Sequence, residues 1–178
     1  ARPCGILMDR DAPVPPPTML TARQLFRFAV SATLFALLSR FTFAQFRHVY
    51  SDTADAHAEI SEALAKAARE HKRVLLDFGG NWCGDCQVLD IYFHRPPNAS
   101  LLADNFILVD VNVGRYDKNL DLAQKYGIPL QKGVPALAVL DAHGRVIYSQ
   151  RQGEFEAMRK MDPNSVTEFL EHWKPRRD

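Results

Sequence analysis

The amino-acid sequence predicts a three-layer α/β domain with a central mixed β-sheet. Helix and strand patterns alternate along residues 45–178, and the last two strand patterns are joined by a hairpin turn. The chain has 178 residues, which is enough for one ordinary domain with its own core. Apolar residues make up 47% of the chain and charged residues 24%, a composition typical of globular proteins rather than disordered ones.

The first half of this domain is predicted to begin with a helix over residues 54–71. Apolar residues recur there at helical spacing, Asp52 or Thr53 is expected to cap the N-terminus, and basic residues at the C-terminal end favour the helix dipole. Residues 74–78 form a short apolar run before two glycines, which predicts a buried strand. A helix over residues 83–93 follows and ends before two consecutive prolines, because proline lacks the amide donor.

The second half continues the alternation and closes on a turn of the composition Asp-Ala-His-Gly. That turn predicts that the two strands beside it pair as a hairpin. The predicted elements are a short helix over 99–104 capped by Asn98, a strand over 106–111, a helix over 120–126 ended by Gly127, strands over 135–140 and 145–149, and a helix over 166–173.

The charge distribution gives no indication of a nucleic-acid partner. The formal net charge is +1, and the basic excess lies in residues 1–44, so residues 45–178 are slightly acidic. A nucleic-acid-binding domain needs a field of lysine and arginine, and the sequence of the domain contains none.

Residues 19–44 are interpreted as a secretory signal peptide. A basic start precedes an apolar stretch over residues 28–39, and Ala44 suits cleavage before Gln45. An uncleaved membrane anchor is the alternative, although Arg40 interrupts the apolar run before the roughly 20 residues that a spanning helix needs.

The segment before this signal, residues 1–18, is proline-rich and shows no periodicity. It is interpreted as a disordered extension or an incorrectly assigned start. The domain of residues 45–178 is then expected to be exported to the periplasm. The alternative is a domain that is anchored in the membrane and faces the periplasm.

Two of the three cysteines form a Cys-x-x-Cys pair, Cys83 and Cys86, at a predicted strand-to-helix junction. At a helix N-terminus, free amides and the helix dipole stabilise a thiolate, the form that attacks disulfides. The second cysteine, one turn further on the same face, can attack the resulting mixed disulfide. The third cysteine, Cys4, lies far upstream, and no second cysteine pair completes a zinc site.

The surroundings of this pair resemble the thioredoxin superfamily, in particular its exported members. The residues that carry the resemblance are Trp82 before Cys83, Asp77 six residues before Cys83, and the segment Gly133-Val134-Pro135 before an apolar strand. The resemblance implies the thioredoxin fold, Cys83 as nucleophile, Cys86 as resolving thiol, and Asp77 as a buried acid–base group that helps to deprotonate Cys86.

The same resemblance implies a substrate site made of Trp82, Val134 and Pro135. Pro135 would be a cis proline that leaves the backbone of Val134 free to pair with an extended substrate, and Trp82 would pack beside the disulfide. Gly84 and Asp85 lie between the cysteines and are expected to modulate them. A carboxylate at Asp85 should disfavour the neighbouring thiolate, which favours a reducing or isomerising dithiol over a strong oxidant.

The usual proline between the cysteines is Asp85 in this sequence, and two further departures from the superfamily pattern concern the neighbourhood of the site. Residues 109–111 lack the lysine that thioredoxins often place near the buried aspartate. The loop from Gly127 to Pro135 is longer than in a plain thioredoxin and is expected to lie beside the site.

The sequence thus predicts a monomeric thiol–disulfide oxidoreductase that acts on protein cysteines without a bound cofactor or metal. A redox partner protein would recycle its dithiol, and a membrane would be involved only if the N-terminal segment is uncleaved. Two alternatives stay open at this point: a redox-inactive peptide-binding or chaperone module of the same fold, and a dedicated reductant for cytochrome c maturation.

Overall fold

The computed structural model describes residues 47–176. The signal peptide or anchor predicted for residues 19–44, and the extension predicted for residues 1–18, lie outside the described residues. Within residues 47–176, no helix has the length and apolar character needed to cross a membrane.

The elements follow the alternation that the sequence predicts. The helices are α1 (Ala56–Glu70), α2 (Gly84–Phe93), α3 (Asn98–Asn105), α4 (Leu120–Lys125) and α5 (Asn164–Trp173). The strands are β1 (Arg73–Gly79), β2 (Phe106–Asn112), β3 (Ala136–Leu140) and β4 (Val146–Ser149). Two short 3-10 helices cover Leu130–Lys132 and Met158–Lys160.

The four strands form one mixed sheet in the order β2-β1-β3-β4. Strand β1 pairs parallel with β2 and antiparallel with β3, and β3 pairs antiparallel with β4. The predicted mixed sheet and closing hairpin are therefore confirmed. The register places Asp77 opposite Asp110 of β2 on one side and opposite Leu137 of β3 on the other.

The central strand β1 is buried because helices cover both faces of the sheet. Val74, Leu76 and Phe78 belong to the cluster that includes buried residues of α1 and α4. Leu75 belongs to a second cluster, with buried residues of α2, α3 and α5. Alternate residues of a strand point to opposite faces, so a strand covered on both faces is a continuous apolar run. Each fully buried leucine contributes about 1.5–3 kcal/mol relative to an exposed one.

The predicted N-cap of the first helix is wrong. Helix α1 begins at Ala56, and its cap is Asp55, whose side chain accepts hydrogen bonds from the amides of His57 and Ala58. The residues expected to cap it lie in a preceding turn, because the hydroxyl of Ser51 accepts from the amides of residues 53 and 54. Several nearby residues can accept from amides, so the spacing alone did not identify the cap.

The cap predicted for the short helix is also wrong. Asn98 is the first residue of α3, and Pro97 precedes it as the N-cap without a side-chain hydrogen bond. The buried amide of Asn98 instead donates to the carbonyl of Tyr92 and accepts from the hydroxyl of Thr167. Asn98 therefore ties α2, α3 and α5 together rather than capping a helix.

Candidate active site

The two cysteines lie where β1 leads into α2. Cys83 has an extended backbone and is the N-cap of α2, and it forms a disulfide with Cys86 across a Cα–Cα distance of 5.3 Å. The backbone amide of Cys86 donates a hydrogen bond to Cys83 Sγ over 3.1 Å. The N-terminus of α2 therefore places a donor where it can stabilise negative charge on that sulfur. Cys83 is 6% exposed and Cys86 is fully buried. Cys83 is thus the cysteine that an incoming sulfur can reach.

The loop before β3 lies against this disulfide. The Val134–Pro135 peptide bond is cis, as the resemblance implied. The carbonyl oxygen of Val134 lies 3.4 Å from Cys83 Sγ, and Val134 belongs to the same buried cluster as both cysteines. The structure therefore brings the cysteine pair and the Val134–Pro135 loop together, although Cys83 and Val134 are 51 positions apart in sequence.

A buried glutamine holds that loop in place. Gln150, which follows β4 and is 1% exposed, donates from Nε2 to the carbonyl of Pro135 over 3.1 Å. Its side-chain Oε1 accepts from the backbone amide of Leu137 over 3.2 Å. The backbone amide of Gln150 donates to the carbonyl of the same leucine. Gln150 could not be identified from the sequence, because nothing near it in the chain marks it as a partner of Pro135.

The buried aspartate that the sequence predicts is present. Asp77 is 1% exposed, and its Oδ2 accepts a hydrogen bond of 2.8 Å from the hydroxyl of Tyr50. Burial and then the charge of Asp110 hold the pKa of Asp77 well above its ordinary value, while the Tyr50 hydrogen bond lowers it. Tyr50 and both cysteines belong to the same buried cluster, on the face of the sheet covered by α1 and α4.

Strand β2 has no lysine near Asp77 in residues 109–111 and instead carries a second carboxylate, Asp110, opposite it. Burial, together with the charge of Asp90, raises the pKa of Asp110 to about 7. Asp90 itself is buried and contacts Arg47 at 3.3 Å and His94 at 3.1 Å. Residues 47–176 contain no group of three or more His, Cys, Asp or Glu side chains arranged to hold a metal ion.

Trp82, the residue before Cys83, packs on the loop that follows β2. Its side chain is 42% exposed, and its indole N–H donates to the carbonyl of Gly114. The ring packs edge-on against Tyr116 with the ring centroids 5.5 Å apart. An open groove of about 380 Å³ runs from there to the loop before β3, and its lining is Tyr116, Leu120, Leu130, Gln131 and Gly133. The long loop therefore contributes to the surface beside the site.

The family is decided by comparison with known proteins. A family model described as thioredoxin-like matches residues 55–142. The disulphide isomerase from Xylella fastidiosa Temecula1 is 40% identical, covers 71% of this chain and 96% of its own, and superposes with a TM-score of 0.68. The chain belongs to the thioredoxin-like family. The predicted thioredoxin fold is thereby confirmed.

Curated relatives match the thioredoxin-like domain over part of their own length. The thiol:disulfide interchange protein DsbD of Photorhabdus laumondii is 29% identical over 103 residues, which is 57% of this chain and 16% of that protein. A protein disulfide-isomerase of Arthroderma benhamiae is 31% identical over 96 residues, which is 52% of this chain and 17% of that protein. The chain thus spans about a sixth of the length of these relatives.

The residues between the cysteines of this thioredoxin-like domain have a partner that the sequence did not reveal. Asp85 Oδ2 accepts from Nε and Nη2 of Arg159 at 3.1 and 2.8 Å, and Asp85 Oδ1 accepts from the backbone amide of Arg159 at 2.8 Å. The side-chain hydrogen bond from Arg159 lowers the pKa of Asp85. Asp85 is therefore a paired carboxylate, and not the lone carboxylate that the sequence predicts beside the thiolate.

Proposed function

We propose that this thioredoxin-like chain is a thiol–disulfide oxidoreductase that acts on protein cysteines. The observation that carries the proposal is the Cys83–Cys86 disulfide at the N-terminus of α2, with only Cys83 reachable and a cis-proline loop against it. The similarity to proteins named disulphide isomerase and thiol:disulfide interchange protein supports it. No bound cofactor is part of the proposal, since thiol–disulfide exchange passes electrons directly between sulfur atoms.

In the reducing direction, the Cys83 thiolate attacks one sulfur of a substrate disulfide. A Cys83–substrate disulfide forms, and the other substrate sulfur leaves as a thiolate. Cys86 then gives its proton to Asp77, and its thiolate attacks Cys83 Sγ. The Cys83–Cys86 disulfide closes, the second substrate thiolate leaves, and two electrons have passed to the substrate. A redox partner protein must then reduce the pair again.

The surrounding residues take the roles that their positions suit. Asp77 is the acid–base group, because burial raises its pKa and makes it a better acceptor for a thiol proton than an ordinary aspartate. The backbone of Val134 next to Pro135 pairs with an extended substrate, and Trp82 offers a ring on which an apolar substrate residue packs. The dithiol works on the reducing or isomerising side, in keeping with the names of its relatives.

An insulin-reduction assay tests the proposal. We expect the intact chain to reduce insulin with dithiothreitol as electron source, Cys83→Ala to be inactive, and Cys86→Ala to accumulate a mixed disulfide because the resolving thiol is missing. Cys4→Ala is the matched control and should retain full activity.

The same assay separates the alternatives. If the intact chain does not turn over but still binds unfolded peptide, and Pro135→Ala abolishes that binding, the chain is a peptide-binding module and not an oxidoreductase. A dedicated reductant for cytochrome c maturation would reduce a Cys-x-x-Cys-His peptide and leave insulin unchanged.

We also propose that the domain acts outside the cytosol. The support is the basic-then-apolar pattern of residues 19–44, which ends on Ala44. N-terminal sequencing of the exported protein should find a mature end at Gln45. A full-length chain in the membrane fraction would instead indicate an anchor that faces the periplasm, and a full-length chain in the cytosol would contradict export.

A further inference from the structure

Arg159 closes over the residues between the two cysteines. Three hydrogen bonds join it to Asp85, although 74 positions separate them in sequence. The Asp85 side chain is 14% exposed and the Arg159 side chain 66%, so the guanidinium covers the carboxylate from the solvent side. A Cβ atom on Gly84 would lie 3.6 Å from the guanidinium carbon, which places the cation against the residue next to Cys83.

The charge of Asp85 matters because of where α2 begins. Asp85 lies in the first turn of α2, whose free amides and dipole also stabilise the Cys83 thiolate. Two anions in one helical turn repel each other, so an unpaired Asp85 would make the thiolate less stable. A guanidinium that donates to Asp85 Oδ2 through both Nε and Nη2 removes most of that repulsion, because the pair has no net charge.

The pair also fixes where these charges lie. The backbone amide of Arg159 holds Asp85 Oδ1, while the side chain holds Oδ2, so rotation of the carboxylate is restricted. Arg159 belongs to the 3-10 helix Met158–Lys160, in which the side chain of Met158 is fully buried. The short helix that carries Arg159 is therefore anchored in the core through Met158.

We infer that Arg159 is a positioning residue that sets the redox equilibrium of the Cys83–Cys86 pair by neutralising Asp85. The inference rests on the proposed oxidoreductase function and adds a residue to it. A dithiol whose thiolate is more stable is a stronger oxidant as a disulfide. Loss of Arg159 should therefore make the pair more reducing, and loss of Asp85, which leaves the cation behind, should make it more oxidising.

The test is the equilibrium of the full chain with glutathione, read for the wild type and for variants at Asp85 and Arg159. We expect Arg159→Gln to shift the equilibrium constant about tenfold toward the disulfide and Asp85→Asn to shift it about tenfold toward the dithiol, each about 30 mV for a two-electron couple. The double variant should return to within about twofold of the wild type, since both charges are gone. Arg159→Lys keeps the charge and should stay within about threefold.

A matched control is Arg145→Gln. Arg145 forms an arginine–aspartate pair with Asp141 at the hairpin turn. The substitution therefore removes the same kind of ion pair, at a position remote from the cysteines. This variant should leave the glutathione equilibrium unchanged. If Arg159→Gln does not fold, the question is decided by Asp85→Asn, which should shift the equilibrium toward the dithiol, and by the double variant, which should reverse that shift.

The outcomes separate the inference from the function beneath it. If the wild type reaches equilibrium with glutathione but the two single variants shift it in the same direction, or by less than twofold, Arg159 does not tune the pair. If the wild-type disulfide does not exchange with glutathione at any ratio, the proposed oxidoreductase function itself fails.

Discussion

At the scale of single residues, the chemistry of Asp77 depends on Tyr50. The ring of Tyr50 is fully buried and its hydroxyl donates to Asp77. A Cβ atom on Gly79 would overlap the Tyr50 ring and hydroxyl, so only glycine at that position lets Tyr50 reach the carboxylate. The remaining oxygen, Asp77 Oδ1, is buried and has no hydrogen-bond partner among the described residues. Tyr50 is therefore the group that stabilises the ionised form of Asp77.

Tyr50→Phe should raise the pKa of Asp77 further, because the hydrogen bond that lowers it is lost. The ionised base then appears only at higher pH. We expect the limb of the pH–rate profile on which Asp77 must be ionised to move to higher pH, and the rate of insulin reduction at neutral pH to fall about 3–10-fold. The free energy of unfolding should fall by about 1–2 kcal/mol.

Two further variants make this prediction specific to the hydrogen bond. Gly79→Ala should move the same limb in the same direction, because its Cβ displaces Tyr50. Tyr148→Phe removes a hydroxyl on β4 and should leave the limb in place. An unmoved limb in Tyr50→Phe would show that Tyr50 does not act on the protonation of Asp77.

At the scale of elements, the position of the cis-proline loop depends on the β3–β4 hairpin. Gln150 follows β4 and reaches back to the carbonyl of Pro135 and the amide of Leu137. These backbone groups, in Leu137 and in the residue before β3, lie beyond the stretch that pairs with β4, which begins at Ala138. A side-chain amide is suited to this place, because it supplies one donor and one acceptor.

Gln150→Leu should therefore leave two buried backbone groups without partners. We expect the free energy of unfolding to fall by about 2–4 kcal/mol, measured by urea denaturation at neutral pH. The same change at the exposed Gln152 is the control and should cost less than about 0.5 kcal/mol. A loss at Gln150 no larger than at Gln152 would show that the loop does not need this amide.

The elements and the cysteine pair could be predicted from sequence because their causes are local. Strand β1 is an apolar run, and the spacing of Asp77 to Cys83 lies within one segment. The partners of these residues could not be predicted in the same way. Tyr50 meets Asp77 across 27 positions, and Arg159 meets Asp85 across 74. Such pairs are brought together only by the folded sheet and its covering helices.

At the scale of the whole molecule, the domain buries negative charge beside its central strand. Asp110 lies opposite Asp77 in the register of β1 and β2, and Asp90 adds to the field at both. Arg47 and His94 contact Asp90 and compensate part of this charge. The arrangement favours protonated carboxyl groups in the folded state, because burial of like charges penalises ionisation.

The sign of the resulting pH dependence follows from Asp110. Its pKa is about 7 in the folded protein against 3.8 for the free group, so the folded state binds this proton more tightly than the unfolded chain. Below pH 3.8 both states are protonated and Asp110 costs nothing. As the pH rises from 3.8 to about 7 the unfolded chain releases the proton first, and stability is lost until the full penalty is present above pH 7.

Asp110→Asn should remove that penalty, because an amide stands in for the protonated carboxyl group. We expect the variant to be more stable than the wild type by about 2–4 kcal/mol at pH 8 and by less than about 1 kcal/mol at pH 4, measured by urea denaturation. Glu168→Gln removes an exposed carboxylate on α5 and should change stability by less than about 0.5 kcal/mol at both pH values. Equal effects of Asp110→Asn at pH 4 and pH 8 would show that ionisation of Asp110 does not destabilise the fold. A gain in stability at pH 8 alone would show that ionised Asp110 destabilises the fold. That charge lies opposite Asp77, the acid–base group proposed for the cysteine pair.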